Sequence, residues 1–188
     1  MGMSGAIDTI ARLSAREQAR IAGRRGGETA EAPDKSDALR EASRVLNGIG
    51  ARHAVVGGVA VGIRSGIPRA TLATDIAVHS TMNRDAVVGA LTAAGFTLRG
   101  AFVHSVNFRH CSGEPVQLVF DPEFDPMIDR AERIDAGEYE VPVVGTSDLI
   151  AMKGRAAGDP ARRRSKALRD RADIELLRGD VPDPDEGW

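Results

Sequence analysis

The chain has 188 residues, of which 42% are hydrophobic and 28% charged, so it has the length of one ordinary domain and a composition that excludes wholesale disorder or a fibre. Twenty-five Lys and Arg against 27 Asp and Glu leave a net charge of −2, too balanced for bulk electrostatics to draw the protein to nucleic acid or an anionic membrane. The longest apolar run, Ala54 to Ile63, holds three glycines and falls well short of the ~20 residues that span a bilayer. With no signal-peptide pattern at the N-terminus, the expectation is a cytoplasmic protein with no membrane association, in which the single cysteine, Cys111, is a packed thiol.

Residues 1–35 carry a weak apolar stripe of Ile7, Ile10, Leu13 and Ile21, followed by the Gly- and Pro-rich stretch Gly23 to Asp34, and read as an N-terminal extension and linker. The main domain is expected over 36–178, with an acidic, Pro-rich tail over 179–188. Leu39, Ala42, Val45, Leu46 and Ile49 recur at steps of three and four between the cap candidates Ser36 and Asp37 and the stop at Gly50, which predicts an amphipathic helix. His53 to Val61 is a Val-rich run broken by Gly57 and Gly58, a buried strand turning tightly into a helix. A polar loop around Pro68 leads to a strand over Thr74 to Val78, and a helix from Arg84 to about Ala94 ends at Gly95. Val103 to Arg109 and Val116 to Phe120 read as two more strands, joined by a turn at Gly113 and Pro115. Asp125 followed by Pro126 predicts a capped helix running to about Ile134. A short strand over Val141 to Val144, a helix capped by Thr146 or Ser147, and a long helix from Ala161 to Leu177 complete the reading. The fold class is therefore α/β (α+β), a small mixed sheet flanked by helices.

A glycine pair at the end of a buried strand has two readings. It lets a phosphate-bearing ligand approach backbone amides, or it lets a helix pack closely on the strand. Downstream of Gly57-Gly58-Val59-Ala60 come Pro68-Arg69-Ala70-Thr71, then Thr74-Asp75-Ile76, then Val116-Gln117-Leu118, and this order resembles the nucleotidyltransferase superfamily, in particular the bacterial AbiEii/AbiGii abortive-infection toxin-like group. The likeness continues through Phe124-Asp125-Pro126-Met127-Ile128, Ser147 to Lys153 and Arg169 to Ile174, and covers roughly Ala51 to Leu177.

The resemblance implies Mg²⁺-dependent transfer of a nucleotidyl group from an NTP to an RNA, protein or small-molecule acceptor. Carboxylates on adjacent strands would hold the metal ions in such a reaction. Carried over residue by residue, it puts Asp75 at the metal and in catalysis, and Gly57, Gly58 and Lys153 at the nucleotide phosphates. Arg69 either binds phosphate or forms an ion pair with an acidic neighbour. Two aspartates at i and i+2 of a strand would share one face, but Ala73 and Ala77 occupy the positions either side of Asp75, and Gln117 stands where a third carboxylate is expected. Asp121 would lie about 13 Å along its strand from that position, and His79 reads as a solvent-facing polar residue. These departures support an alternative, a catalytically impaired member that binds nucleotide, RNA or a protein partner in a toxin-antitoxin or phage-defence system.

Arg162, Arg163, Arg164 and Lys166 concentrate positive charge, but Asp159, Asp170, Asp173 and Glu175 interleave with the basic run, which predicts a solvated, ion-paired helix face. Aromatic residues make up only 4% of the chain, so base stacking has little support. His104 and His110 are ~20 Å apart along an extended strand and have no closing carboxylates, which excludes a shared metal. No GxSxG surrounds Ser105 or Ser112, so serine hydrolysis is discarded.

Overall fold

The computed structural model describes residues 35–67, 69, 71–136 and 139–180. The stripe of Ile7, Ile10, Leu13 and Ile21, the linker to Asp34 and the tail from residue 181 lie outside the described residues. Helix α1, Lys35–Gly48, buries Ala38, Leu39, Ala42 and Leu46 along one stripe, and Gly50 follows it at φ 66°. The end of the expected stripe turns outward, since Ile49 is exposed.

Strand β1, His53–Val56, is buried along its whole length, and helix α2, Gly57–Ser65, starts with no intervening loop. Arg64 near the end of α2 donates to the carbonyls of Val143 and Val144 at 2.8 and 3.0 Å, which ties the helix to the sheet. Strand β2 is Thr74–Val78, and helix α3 is Arg84–Ala93, where the Asn83 side chain accepts the Ala86 amide at 3.0 Å as a cap. Strands β3, Thr97–Ala101, β4, Ser105–Arg109, and β5, Pro115–Val119, follow as an antiparallel meander.

The expected helix from Asp125 to Ile134 is a correction. Helix α4 is Asp125–Asp129 only, and Glu132–Asp135 is strand β6, paired antiparallel with β7, Glu140–Val143. Asp125 does not cap α4; its carboxylate accepts the amide and hydroxyl of Ser80 at 2.8 and 2.6 Å. Helix α5, Thr146–Gly158, takes Gly145 as its N-cap rather than Thr146 or Ser147, and helix α6, Arg164–Arg178, begins three residues after the expected Ala161 and ends at Gly179 with φ 94°.

The seven strands form one sheet in the order β3-β4-β5-β2-β1-β7-β6. It is mixed: β2 pairs parallel with β5 and β1 parallel with β7, while the other neighbours run antiparallel. Helices α1 and α3 pack together on one face, and α2, α5 and α6 pack together on the other. The core lies between these layers and the sheet, with Ile76, Leu118, Val141 and Leu149 fully enclosed. Truncating one such Leu to Ala typically costs about 2–5 kcal/mol. Among the described residues no helix is long and apolar enough to cross a membrane.

Candidate functional site

The site is built where β1 gives way to α2. Register places Val56 opposite Asp75, Asp75 opposite Gln117 and Gln117 opposite Asn107, so these four form one row across the sheet. Successive strand residues point to opposite faces. Thr74 therefore faces α1, where it meets Glu114, and Asp75 faces the layer of α2, α5 and α6.

Gly57 makes room for that carboxylate. It has φ +68°, a conformation that disfavours side chains, and a Cβ there would meet the Cβ and Cγ of Asp75 at 3.1 Å and collide with Oδ2. At Gly58 the constraint is spatial, because an added Cβ would lie 3.0 Å from that of Thr71. Thr71 in turn closes its own loop by donating its hydroxyl to the Ala73 carbonyl at 2.7 Å. The glycine pair thus brings the N-terminus of α2, the 71–73 loop and the Asp75 carboxylate together.

These residues border a cleft of about 330 Å³, within the range of small-molecule sites. Gly58, Asp75, Gln117 and the 71–73 loop border it, together with five basic side chains, Arg69, Lys153, Arg162, Lys166 and Arg169, and the acid Asp170. Behind the cations lies a buried ionic network. Lys153 Nζ is 3.0 Å from Asp170 Oδ1 and 2.8 Å from Asp173 Oδ2, Arg162 reaches Asp170 Oδ2 at 2.7 Å, and Arg69 pairs with Asp173. Burial acts to raise the pKa of Asp170, but Lys153 and Arg162 outweigh it and hold the carboxyl below the usual range. Asp75 behaves in the opposite way. Burial pushes it up to about 6, against the pull of Lys153, Lys35 and Lys166.

The reading of α6 as a solvated, ion-paired face holds for its basic residues, since Arg164, Lys166, Arg169 and Arg171 are exposed and Arg162 pairs with Asp170, but not for two of its acids. Asp170 and Asp173 are 2% and 1% exposed and share an inner stripe with Ile174 and Leu177. Their spacing of i, i+3, i+4 and i+7 is that of an inward helix face, which two acids at its start disguise in the sequence. Of the two readings of Arg69, the ion pair with an acidic neighbour is the one observed: it pairs with Asp173, and it also lines the cleft.

Other expectations also change. His79 is buried rather than solvent-facing, with Nδ1 2.8 Å from the Thr81 hydroxyl and 3.7 Å from Asp125. Cys111 is exposed, not packed. Glu114 was not singled out, yet it is fully buried and paired with Lys35 at the start of α1. Its own burial lowers the pKa of Lys35, with Glu114 acting against the shift.

The donor set does not fit a two-ion magnesium centre. Asp75 stands as a single carboxylate in its row, Ala77 is fully buried between Ala54 and Val119, and the Gln117 amide donates to Asn107 at 3.1 Å. Asp121 is used elsewhere, accepting the Glu123 amide at 3.0 Å. Among the described residues no three or more His, Cys, Asp or Glu gather where they could hold a metal ion.

No family model matches the chain, and no curated protein matches it significantly. Solved structures do. The lincosamide antibiotic adenylyltransferase LnuA, bound to lincomycin, aligns with TM-score 0.54 and 13% identity over 73% of this chain and 92% of its own. An antigenic nucleotidyltransferase-like protein from Paracoccidioides brasiliensis aligns with TM-score 0.52 and 20% identity over 80% of this chain and 78% of its own. JHP933 from Helicobacter pylori gives TM-score 0.53 and 17% identity over 80% of this chain and 66% of its own. At these identities the likeness is one of fold. The chain has the nucleotidyltransferase-like α/β fold, with a seven-stranded mixed sheet and six helices among its described residues.

Proposed function

We propose that this chain is a nucleotide-binding protein of the nucleotidyltransferase fold, which holds a nucleoside triphosphate in the cleft between the Gly57-Gly58 turn and helices α5 and α6. The observation that carries this reading is the composition of the cleft wall. Five basic side chains line a space bordered by Gly58, and Lys166 and Arg169 form no ion pair with any described residue. Phosphate oxygens are the ligand chemistry that guanidinium and ammonium groups recognise best. In this reading Arg69 and Lys153, held in place by Asp170 and Asp173, present fixed donors at the base of the cleft. Lys166 and Arg169 close on the outer phosphates, and a phosphate beside Gly58 would lie at the first turn of α2.

Transfer of the nucleotidyl group to an acceptor hydroxyl is a second reading. It is favoured by the position of Asp75, whose carboxylate lies beside the glycine turn in the same cleft. The missing companion carboxylates count against it.

Thermal melting tests the first reading without knowledge of any acceptor. A ligand at 100 times its Kd adds ~2.7 kcal/mol of stability. ATP, GTP, CTP or UTP is expected to raise Tm while adenosine does not, and Lys166→Glu with Arg169→Glu is expected to remove the rise without lowering the unliganded Tm. A triphosphate rise that survives both charge reversals would move the ligand out of this cleft. Label from an α-³²P NTP appearing on RNA or protein would favour the second reading.

A further inference from the structure

We infer that the cleft takes the triphosphate as the metal-free polyanion, with basic side chains supplying the countercharge that Mg²⁺ supplies to a nucleotide in solution. This inference rests on the nucleotide-binding reading above and specifies the form of its ligand.

Charge is the first ground. Lys153, Arg162 and Arg69 form one network with two carboxylates, Asp170 and Asp173, on the inner side of the wall. Lys166 and Arg169 stand on the same wall with no ion pair to any described residue, and Asp75 is the one further acid among the described residues that line the cleft. The wall is therefore net positive with or without an ionised Asp75. A phosphate chain entering this space meets compensating charge already in place.

Ligand chemistry is the second ground. Mg²⁺ requires a near-octahedral set of oxygens, and a two-ion centre for nucleotidyl transfer needs carboxylates on adjacent strands to hold both ions. Here the neighbours of Asp75 across the sheet are Val56 and Gln117, which bring no second charge. Lys153 and Lys166 act electrostatically on Asp75 from the same wall, so a divalent cation at that carboxylate would stand in a field of like sign.

The third ground is rigidity. Lys153 is nearly buried, with both acidic partners fixed on α6, and Arg69 is held by Asp173. These donors are oriented before any ligand arrives, so they do not depend on a metal ion to arrange the phosphates.

Isothermal titration of the full chain with ATP, in EDTA and in excess Mg²⁺ at the same ionic strength, tests the inference. Affinity in EDTA is expected to equal or exceed that in Mg²⁺, by up to about tenfold, since Mg²⁺ masks the phosphate charge that the wall recognises. Inorganic tripolyphosphate is expected to follow the same order. Asp75→Asn, checked for folding by its Tm, is expected to tighten binding in EDTA severalfold. Binding that appears only with Mg²⁺ and weakens in Asp75→Asn would overturn the metal-free form and leave the nucleotide reading standing. No binding of ATP or tripolyphosphate in either buffer would overturn both.

Discussion

The two faces of the sheet bury charge in different ways. On the α1 face Lys35 meets Glu114, one cation against one anion, with Thr74 donating to the same carboxylate at 3.2 Å and both charged groups almost fully enclosed. On the opposite face three cations share Asp170 and Asp173, and Lys166 and Arg169 beside them open onto a cleft with no ion pair to any described residue. A balanced, closed pair contributes to structure only, because no ligand can reach it. An unbalanced set at an open edge has charge left to offer, and for that reason the second face, not the first, carries the functional proposal.

Removing one partner from each face is the strongest way to break this comparison. Glu114→Ala leaves Lys35 buried without its counter-charge, and such losses cost about 3–5 kcal/mol. Urea unfolding should show the full effect, and Lys35→Met combined with Glu114→Leu should recover most of it, as expected where an ion pair has only a structural role. Asp173→Ala should cost about 3 kcal/mol, toward the lower end of that range, because Lys153 keeps Asp170 and Arg69 is near solvent. The sharper contrast lies in ligand response. Glu114→Ala should keep the triphosphate-induced rise in Tm, whereas Asp173→Ala should lose part of it.

The Asp75 carboxyl gives a pH-dependent effect. Its folded pKa of about 6 lies above the unfolded value of 3.8, so the folded state holds its proton more tightly. The sign follows: this residue costs nothing below pH 3.8, its ionisation weakens the fold as pH rises from there to about 6, and the penalty is full above that. Asp75→Asn should therefore stabilise the protein on the order of 2–3 kcal/mol at pH 8, and the gain should vanish near pH 4. A gain that stays constant across this range would show that Asp75 is not desolvated. At the small end, the Arg178 and Glu175 pair is more than half exposed on both sides, and Arg178→Ala should move Tm by an amount equivalent to less than about 0.5 kcal/mol.

The parts of this architecture legible in the sequence are those where one local pattern decides the outcome. Strand β2 reads directly from Thr74-Asp75-Ile76-Ala77-Val78, and α3 reads from its apolar spacing and the stop at Gly95. Edge strands were not legible. β3, Thr97–Ala101, is almost wholly exposed and contains a glycine, and in β6, Glu132–Asp135, only Ile134 points inward, so neither has an alternation to detect. The same holds at the site. The Gly57 turn and Asp75 stand out in sequence because each is bound to its own strand end. The partners that orient Arg69 and Lys153 lie 104 and 17 residues further along, and no local period links them.

The carboxylate resting where Gly57 has no Cβ also limits the order in which this protein can change. Asp75 can be replaced while Gly57 stays, because emptying the space costs little in fit. Gly57 cannot gain a side chain while Asp75 stays, because the two would claim the same volume. Even after Asp75 has gone, the backbone at 57 keeps a conformation that disfavours side chains. Of the two positions, the glycine is therefore the later to be lost along any mutational path, and a descendant chain without the acid would still carry the glycine turn as a record of the acid it once accommodated.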